Sequence, residues 1–376
     1  MSILKTIYLQ HLNGAAPNAT LDANGNMTVT GTVVSSSPTG GMRNKIINGD
    51  MRIDQRNSGA EVNPAAGGTY YLDRWTISSN QASKLKIGQN AGSVTPPVGF
   101  SNYLGVTSLS SYSSLSTDAF GLNQRIEGYN MADFAWGSAN AKTVTLSFWV
   151  YSSLTGTFAG SLRNDGTTRS YVFTYSITSA NTWEYKTITI PGETTGTWLT
   201  TTGIGIYVYF NLGSGSNFSG TAGAWAASNY VTTTGATSVV GTSGATWYIT
   251  GVQLEAGTIA TPFERRLFGA ELALCQRYYE TGVGFAVASS TNRAVTAINY
   301  KVTKRATGTI NFYNPVDNST INSMWNPGVL SPTITTKAGS VTDTSGIQGL
   351  GWYHDTSTTM TVGHGYAYYY RIDAEL

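Results

Sequence analysis

Residues 143–151, TVTLSFWVY, alternate between aliphatic or aromatic side chains and polar ones. One face of the extended chain carries Val144, Leu146, Phe148 and Val150, and the other carries Thr, Ser, Trp and Tyr, as expected for a strand with one buried face. The pattern returns in YVFTYSI at 171–177, YKTITI at 185–190 and IGIYVYF at 204–210. Short strands separated by turn-rich segments such as PGETTGT predict an all-β sandwich or jelly roll.

Composition supports this fold class. The 376 residues are 40% hydrophobic and only 11% charged, with 43 glycines, whereas charged residues usually make up about 25% of a globular chain. The net charge of +2 supplies no basic field for nucleic acid, so we expect no nucleic-acid partner. Cys275 is the single cysteine and no secretory leader follows Met1, which predicts folding in a reducing cytoplasm. No apolar run approaches about 18 residues, so we expect no membrane insertion.

Residues 1–42 are too short to bury a core of their own, so we expect them to dock onto another protein or another part of the chain. Asn24 and Gly25 lie between ATL and MTVTGTVV and predict a β-hairpin. SSSPTGG at 35–41 predicts a linker. The segment 1–42 is therefore predicted to be an N-terminal β-hairpin adapter.

Three further segments follow. Residues 43–266 carry the strand pattern of the large sandwich, in which TWYITGVQLEAG shifts its apolar parity and predicts a bulge at Gly251. Residues 267–280 have no turn signals and place Leu267, Glu271, Leu274 and Tyr278 at helical spacing, which predicts a short helical connector. Alternation then returns in 281–376, for example in GYAYYYRI, and predicts a smaller C-terminal β-sandwich.

The segment KIINGDMRIDQRNSG, at 45–59, concentrates charge in a charge-poor chain. We expect Ile47, Met51 and Ile53 to enter the sandwich core, while the charged residues pair laterally and fix the register of a strand. The predicted charge cluster consists of Asp50, Arg52, Asp54, Arg56, Asp73, Arg74, Glu264, Arg265 and Arg266. Neutralising Asp73 is expected to leave an arginine without its partner and to lower stability.

Four motifs also carry a resemblance. They are RNKIINGDMRIDQRN at 43–57, YYLDRW at 70–75, VQLEAGTIATPFERR at 252–266 and GAELALCQRYYE at 269–280. INGDM at 47–51 with DRW at 73–75, and GVQLEAGTIATPFE at 251–264, resemble the motifs that bracket carbohydrate-binding-module jelly rolls. In order, the four look like a family of bacteriophage virion proteins described as tail-fibre or receptor-binding proteins. The resemblance implies a virion location, a contact between residues 1–42 and other virion proteins, and a host cell-surface glycan as the receptor.

Aromatic residues are the candidates for glycan binding, because sugar rings stack on aromatic faces. Trp183, Trp198, Tyr207, Tyr209 and Trp225 are predicted to line a glycan groove. The alternative is that these rings pack across strands or against sister subunits.

A structural calcium ion has precedent in the carbohydrate-binding jelly rolls, and Asp50 with Glu255 is a weak candidate pair for it. Two carboxylates alone do not define such a site, and calcium apart we expect no cofactor. Alternatively, these carboxylates only form ion pairs.

Catalysis has little support, because the sequence contains no GxSxG, HExxH or P-loop motif. A glycan depolymerase needs only two suitably spaced carboxylates, and five candidates are Glu127, Asp133, Asp165, Glu184 and Glu193. Phage depolymerases are generally longer β-helices, and their rung repeat is absent here. We therefore expect a protein that is not an enzyme.

Two non-enzymatic functions remain. One is a receptor-binding tail fibre, and the other is a capsid or neck decoration or spike protein that stabilises the particle. In both cases ring symmetry of virion appendages and sheet edges suited to lateral packing predict a homotrimer.

Overall fold

A computed structural model describes residues 7–9, 19–21, 27–29, 42–313, 323–325, 333–335, 348–355 and 359–376. The chain divides into two compact units, Met1–Arg43 and Asn44–Leu376. Among the described residues no helix is long and apolar enough to cross a membrane.

The secondary structure is almost entirely β, which confirms the predicted fold class. In chain order the strands are β1 (Ile7–Leu9), β2 (Ala19–Leu21), β3 (Met27–Val29), β4 (Gly67–Leu72), β5 (Trp75–Ser79), β6 (Leu85–Gln89), β7 (Leu104–Ser108), β8 (Phe120–Glu127), β9 (Val144–Ser152), β10 (Gly156–Arg163), β11 (Ser170–Ile177), β12 (Glu184–Ile190), β13 (Ile204–Asn211), β14 (Trp225–Ala226), β15 (Thr246–Ala256), β16 (Tyr279–Ser290), β17 (Arg293–Asn299), β18 (Thr309–Tyr313), β19 (Ser323–Trp325), β20 (Thr333–Thr335), β21 (Gly349–Asp355) and β22 (Gly365–Asp373). The α-helices are α1 (Gly128–Met131) and α2 (Phe268–Gln276), and short 3-10 helices span Ala132–Phe134 and Ser216–Phe218.

The N-terminal unit contains one antiparallel sheet in the order β1-β2-β3. Strands β2 and β3 pair with Leu21 opposite Met27. The turn predicted at Asn24 and Gly25 lies outside the described residues.

The larger unit begins with two antiparallel sheets that form the sandwich. Their strand orders are β14-β11-β10-β13-β8-β5-β4 and β12-β9-β15-β7-β6. The face predicted from TVTLSFWVY is buried, since Val144, Leu146, Phe148 and Val150 are each 0% exposed. The period-2 pattern therefore identified the core-facing side of β9.

Aromatic rings from both sheets meet in the sandwich core. The Phe148 ring centre lies 5.0 Å from that of Phe210 and 5.1 Å from that of Tyr175. The Trp247 indole N–H donates to the Tyr175 hydroxyl at 3.1 Å, so this buried polar group is satisfied. Burial raises the pKa of Tyr175, which stays neutral at physiological pH.

The predicted bulge lies at Gly251, where β15 shifts its register against β9 between Thr250 and Gln253. Thr250 pairs with Trp149 and Gln253 with Ser147, so β15 carries one more residue than its partner. Gly251 has a φ of 63°, a left-handed conformation that glycine adopts without strain.

Helix α2 follows the sandwich and lies within the predicted connector. The described strands after it belong to one sheet, in the order β20-β19-β22-β16-β17-β21, with β18 also paired to β22. In place of the predicted second sandwich, β22 bonds to β16 along one edge and to β18 and β19 along the other. One face of GYAYYYRI is buried, as the alternation predicted, through Tyr366, Tyr368 and Tyr370.

The charged segment 45–59 connects the sandwich to this C-terminal sheet. Ile47, Met51 and Ile53 are buried, each at most 2% exposed. Of the three, Met51 belongs to the hydrophobic cluster of the sandwich, together with Ile46. Arg52 lies 3.0 Å from Asp50 and donates to the main-chain oxygen of Arg266 at 2.6 Å. These contacts hold the entry of the sandwich beside its exit.

Residues that follow β15, at the exit of the sandwich, also make ion pairs and a hydrogen bond. Arg266 pairs with Glu264 at 2.9 Å and with Glu271 of α2 at 3.2 Å. Glu264 also accepts the main-chain N–H of Asn44 at 2.9 Å. Arg265 is exposed, and its guanidinium lies over the Phe100 ring.

Arg56 and Arg74 pair with residues that the sequence did not indicate. Arg56 lies 3.1 Å from both Asp373 and Glu375, and Arg74 also pairs with Glu375. The reason is the register of the C-terminal sheet, in which Tyr279 of β16 pairs with Asp373 of β22. We name these contacts the C-terminal joint, which consists of Arg56, Arg74, Tyr278, Tyr279, Asp373 and Glu375.

The two remaining acids of the cluster bind main-chain groups or an amide rather than arginines. Asp54 accepts the N–H groups of Asn57 at 2.9 Å and Gly59 at 2.7 Å and so fixes a turn. Asp73 accepts the main-chain N–H of Gln55 at 2.7 Å and its side-chain amide at 2.5 Å. Among the described residues Asp73 makes no direct ion pair with an arginine, contrary to the expectation, although the charge of Arg56 acts on it.

Asp73 makes folding pH-dependent. Burial raises its pKa to about 6, although Arg56 and the bonds from Gln55 act in the opposite direction. A carboxyl whose folded pKa exceeds its unfolded pKa binds a proton more tightly in the folded state, so its contribution to stability is lost as pH rises through about 6. We expect the Asp73→Asn variant to lose less thermal stability than wild type between about pH 4 and about pH 6.5, measured as Tm by calorimetry. Asp165→Asn, at an exposed carboxyl, is the control, and its Tm should change with pH as the wild-type Tm does. If the Tm of Asp73→Asn also changes with pH as the wild-type Tm does, Asp73 is not the source of the pH dependence.

Candidate functional site

An open groove of about 480 Å³ lies on the outer face of the five-stranded sheet. We name it the sheet groove. Its lining residues are Phe100, Ser147, Trp149, Tyr185, Gly251, Ala260, Thr261, Pro262, Phe263 and Arg265. Strands β9, β12 and β15 supply its floor, and the chain leaving β15 supplies one wall.

Two aromatic rings form the floor. Trp149 of β9 and Tyr185 of β12 are direct cross-strand partners, so both side chains project from the same face of the sheet. Their ring centres are 5.3 Å apart at an interplanar angle of 46°. Tyr185 is 44% exposed and Trp149 is half-buried, so both side chains are partly accessible in the groove.

The wall combines apolar rings with a positive charge. The rings of Phe100 and Phe263 meet edge to face at 5.3 Å. The Arg265 guanidinium lies 4.7 Å from the Phe100 ring centre, a distance at which the ring attracts the cation. An exposed donor is thereby held at the rim of an aromatic surface.

Gly251 makes this geometry possible. A Cβ atom at Gly251 would lie 2.7 Å from the Phe100 ring and 3.2 Å from the Trp149 ring. Because Gly251 has no side chain, the Phe100 and Trp149 rings can approach the bulge closely. The extra residue of the bulge also shifts which residues of β15 face the core. The shift in the alternation of apolar residues at Gly251 was visible in the sequence. The groove residues, however, were not among the predicted glycan-binding residues. For Trp149 the signal was its outward position in TVTLSFWVY, whereas nothing local marked Phe100 and Phe263, which lie far apart in the chain.

Trp183 lies on the same side of the sandwich, beside a group of stacked tyrosines. Its indole N–H donates to the main-chain oxygen of Thr95 at 2.8 Å. Its ring lies 5.5 Å from those of Tyr103 and Tyr151, and Tyr151 stacks on Tyr248 at 5.3 Å. Of the five predicted glycan residues, Trp183 is the one on the groove side.

Trp198 and Trp225 belong to a separate tryptophan cluster with Trp136. Ring centres in this cluster are 4.8 Å to 5.6 Å apart, all edge to face. The indole N–H groups of Trp198 and Trp225 donate to the main-chain oxygens of Thr195 and Pro191. Trp198 is only 7% exposed, so its ring packs inside the protein and is not available to stack on a sugar.

Tyr207 and Tyr209 lie on the outer face of the seven-stranded sheet. Both side chains point outward from β13, as predicted. Tyr209 is nevertheless only 1% exposed, because other residues cover it. Its ring covers Gly121, where a Cβ would come within 2.1 Å of it. The five predicted residues therefore occupy three places and do not form one groove.

The five carboxylates considered for catalysis are dispersed as well. Glu127 pairs with Arg277 at 2.6 Å, Glu193 with Arg169 at 2.6 Å, and Asp133 with Lys45 at 3.0 Å. Glu184 pairs with Lys186 at 2.5 Å, and hydrogen bonds from Lys186, Ser179 and Thr178 outweigh desolvation and lower its pKa to about 2. Asp165 is exposed.

The lining of the sheet groove contains no Asp or Glu among the described residues. General acid–base cleavage of a glycan requires paired carboxyl groups at the scissile bond. The groove can therefore offer stacking, hydroxyl contacts and one cation to a ligand.

The weak metal candidates have protein partners of their own. Asp50 pairs with Arg52, and Glu255 accepts the main-chain N–H of Thr261 at 2.9 Å and its hydroxyl at 2.7 Å. In the described ranges no three His, Cys, Asp or Glu side chains are grouped closely enough to hold a metal ion. Glu255 instead fixes the loop that carries the groove wall.

No family model matches the chain, and no curated protein matches it. Among solved structures it is similar to a putative sugar binding protein from Bacteroides thetaiotaomicron, with 13% identity and a TM-score of 0.34 over 57% of this chain and 100% of that one. It is similar to the enzymatically active domain of tailspike protein 4 of bacteriophage CBA120, with 14% identity and a TM-score of 0.31 over 57% of this chain; the match spans 22% of the tailspike chain. It is also similar to a family 11 carbohydrate-binding module of a Clostridium thermocellum cellulase, with 16% identity and a TM-score of 0.25 over 52% of this chain and 99% of that one.

Proposed function

We propose that the protein is a bacteriophage virion component that attaches to a host cell-surface glycan through the sheet groove. The observation that supports this most directly is the pair of partly exposed rings, Trp149 and Tyr185, on the floor of an open groove. The resemblance of the four motifs at 43–57, 70–75, 252–266 and 269–280 to tail-fibre and receptor-binding proteins supplies the biological context.

The chemistry of the groove suits a saccharide. A sugar ring has apolar C–H faces, which an aromatic floor contacts, and equatorial hydroxyls, which need polar partners at the edge. Tyr185, Thr261 and Arg265 are lining residues that carry polar groups on partly or fully exposed side chains. A largely apolar cleft with a few polar groups is the usual form of a small-molecule site. We propose binding without cleavage, since the lining offers no carboxyl pair.

Residues 1–42 are proposed to attach the protein to other virion proteins. Their unit is separate from Asn44–Leu376, and the larger unit has its own two hydrophobic clusters. Removal of the short unit is therefore compatible with folding of the rest.

The apolar face of the C-terminal sheet favours self-association. Val283, Phe285 and Val287 project from one side of β16 and are 48% to 65% exposed, and Val295 of β17 is 43% exposed. Val287 and Val295 are direct cross-strand partners, so the four side chains form one surface. We propose that this surface packs against sister copies in a homotrimer.

Removal of the exposed floor ring should abolish most glycan binding. We expect Tyr185→Ala and Trp149→Ala each to weaken binding to the host surface glycan by about 5- to 30-fold, since a lost aromatic contact costs about 1–2 kcal/mol. The measurement is affinity electrophoresis in purified host polysaccharide. Tyr129→Ala, at another exposed tyrosine, is the matched control and should bind as wild type. Unchanged binding of both groove variants would exclude the sheet groove as the glycan site.

Deletion of residues 1–42 should yield soluble protein that still binds glycan but is absent from purified particles. Immunogold labelling of the full-length protein in electron micrographs then separates the two particle roles, since a receptor-binding fibre is expected at the tail tip and a decoration protein on the head or neck. Normal incorporation of the truncated protein would contradict the attachment role.

Sedimentation velocity should show a homotrimer for the wild type and a smaller species for Phe285→Glu, because burying an unpaired charge in an interface is costly. Tyr129→Glu places the same charge at an exposed tyrosine elsewhere and should leave the trimer intact. A single 40 kDa wild-type species at micromolar concentration would contradict the trimer.

A further inference from the structure

Among the described residues that line the sheet groove, only Arg265 carries a charge. Its side chain is exposed, and its guanidinium lies 4.7 Å from the centre of the Phe100 ring and 5.7 Å from that of Phe263. A Cβ atom at Gly99 would lie 3.1 Å from Arg265 Nη2, so the guanidinium is also close to the main chain beside Phe100. The cation is therefore held at the groove wall by contacts that do not neutralise it.

The neighbouring arginine has the partners that Arg265 lacks. Arg266 pairs with Glu264 at 2.9 Å and with Glu271 at 3.2 Å. Within the part of the chain that the structure describes, Arg265 has neither an ion pair nor a hydrogen bond. A phenyl ring has no lone pair that accepts a conventional hydrogen bond, so the N–H donors of Arg265 are available to a ligand.

Asp50 is a carboxylate on which the charge of Arg265 acts. Burial raises the pKa of Asp50, and the charge of Arg52 opposes this more strongly than the charge of Arg265 does. The Asp50 carboxylate lies 3.0 Å from Arg52, its side chain is 9% exposed, and it does not line the groove. Asp50 is therefore the counter-ion of Arg52 and leaves the charge of Arg265 to the groove.

An anionic group suits this wall better than a neutral hydroxyl does. Hydrogen bonds from a guanidinium to a carboxylate or a phosphate are charge-assisted and often bidentate, and they are about twice as strong as bonds between neutral groups. The other lining residues are aromatic, aliphatic or hydroxyl-bearing, so none of them repels an anion. Because the Phe100 and Phe263 rings already restrict the guanidinium, less conformational entropy is lost when a ligand binds.

We propose that Arg265 makes the sheet groove selective for glycans that carry an anionic substituent. The guanidinium binds a carboxylate or phosphate oxygen of the glycan, while a sugar ring lies on the floor formed by Trp149 and Tyr185. This inference rests on the glycan-binding role proposed for the groove, and it adds the chemical class of the glycan and the residue that selects it.

The test compares host surface polysaccharide before and after its acidic groups are removed, by affinity electrophoresis of the full chain. Reduction of carboxyl groups to alcohols removes the carboxylates, and mild hydrofluoric acid removes phosphate esters. We expect one of these treatments to weaken wild-type binding about fivefold to tenfold, a loss between that of an exposed ion pair and that of a sheltered charge-assisted hydrogen bond. The treatment that has this effect identifies the anion.

Arg265→Gln should bind the native polysaccharide as weakly as wild type binds the treated one, and the same treatment should leave the binding of this variant unchanged. Lys84→Gln is the matched control. The Lys84 ammonium also lies over an aromatic ring, 4.5 Å from the centre of Tyr112, but neither residue lines the groove. This variant should keep both the wild-type affinity and the wild-type preference for native polysaccharide.

Two results would overturn the selectivity while leaving the groove as the glycan site. One is equal binding of wild type to the native and to both treated polysaccharides, and the other is wild-type affinity of Arg265→Gln for the native polysaccharide, in each case with binding weakened in Tyr185→Ala. An equal loss of preference in Lys84→Gln would show attraction by overall charge and would also overturn it. Binding that is unchanged in both Tyr185→Ala and Trp149→Ala would reject the groove itself, and this inference with it.

Discussion

The Arg74 guanidinium lies 3.6 Å from the centre of the Tyr278 ring and forms an ion pair with the Glu375 carboxylate. Arg74 is 1% exposed, so its charge is stabilised only while both neighbours are in place. Arg56 repeats the arrangement on Tyr279, at 3.7 Å, with Asp373 and Glu375 as its anions. The sandwich and the C-terminal sheet have separate hydrophobic clusters, and these two stacks join them through charge and aromatic surface.

The fold class and the local irregularities could be predicted because they depend on neighbours in the sequence. Alternation identified the buried face of β9, and the break in parity at Gly251 identified the bulge in β15. The partners of Arg56 and Arg74 could not be predicted in the same way. Glu375 lies about three hundred positions from both arginines, and only the pairing of β16 with β22 brings it to them.

The candidate sites show the same division between local and long-range information. Parity placed Tyr207 and Tyr209 on the outward face of β13, but exposure depends on what else packs on that face, and Tyr209 is buried. The sheet groove combines Trp149 from a strand with Phe100 and Phe263 from two connecting segments. Sequence alone can therefore name the aromatic residues. It cannot show which of them lie together in a groove, because that depends on which distant segments meet in the fold.

The larger unit begins and ends at the same place, which determines how it would carry a mechanical load. Asn44 is bonded to Glu264 and to Val252, and Arg56, a few residues further on, is bonded to Glu375. Tension applied between Asn44 and the residues that follow β22 is therefore expected to act first on the segment 44–59 and its ion pairs. The hydrogen-bonded strands from β4 to β15 lie outside this force path, so the five-stranded sheet is expected to keep its shape under such a load.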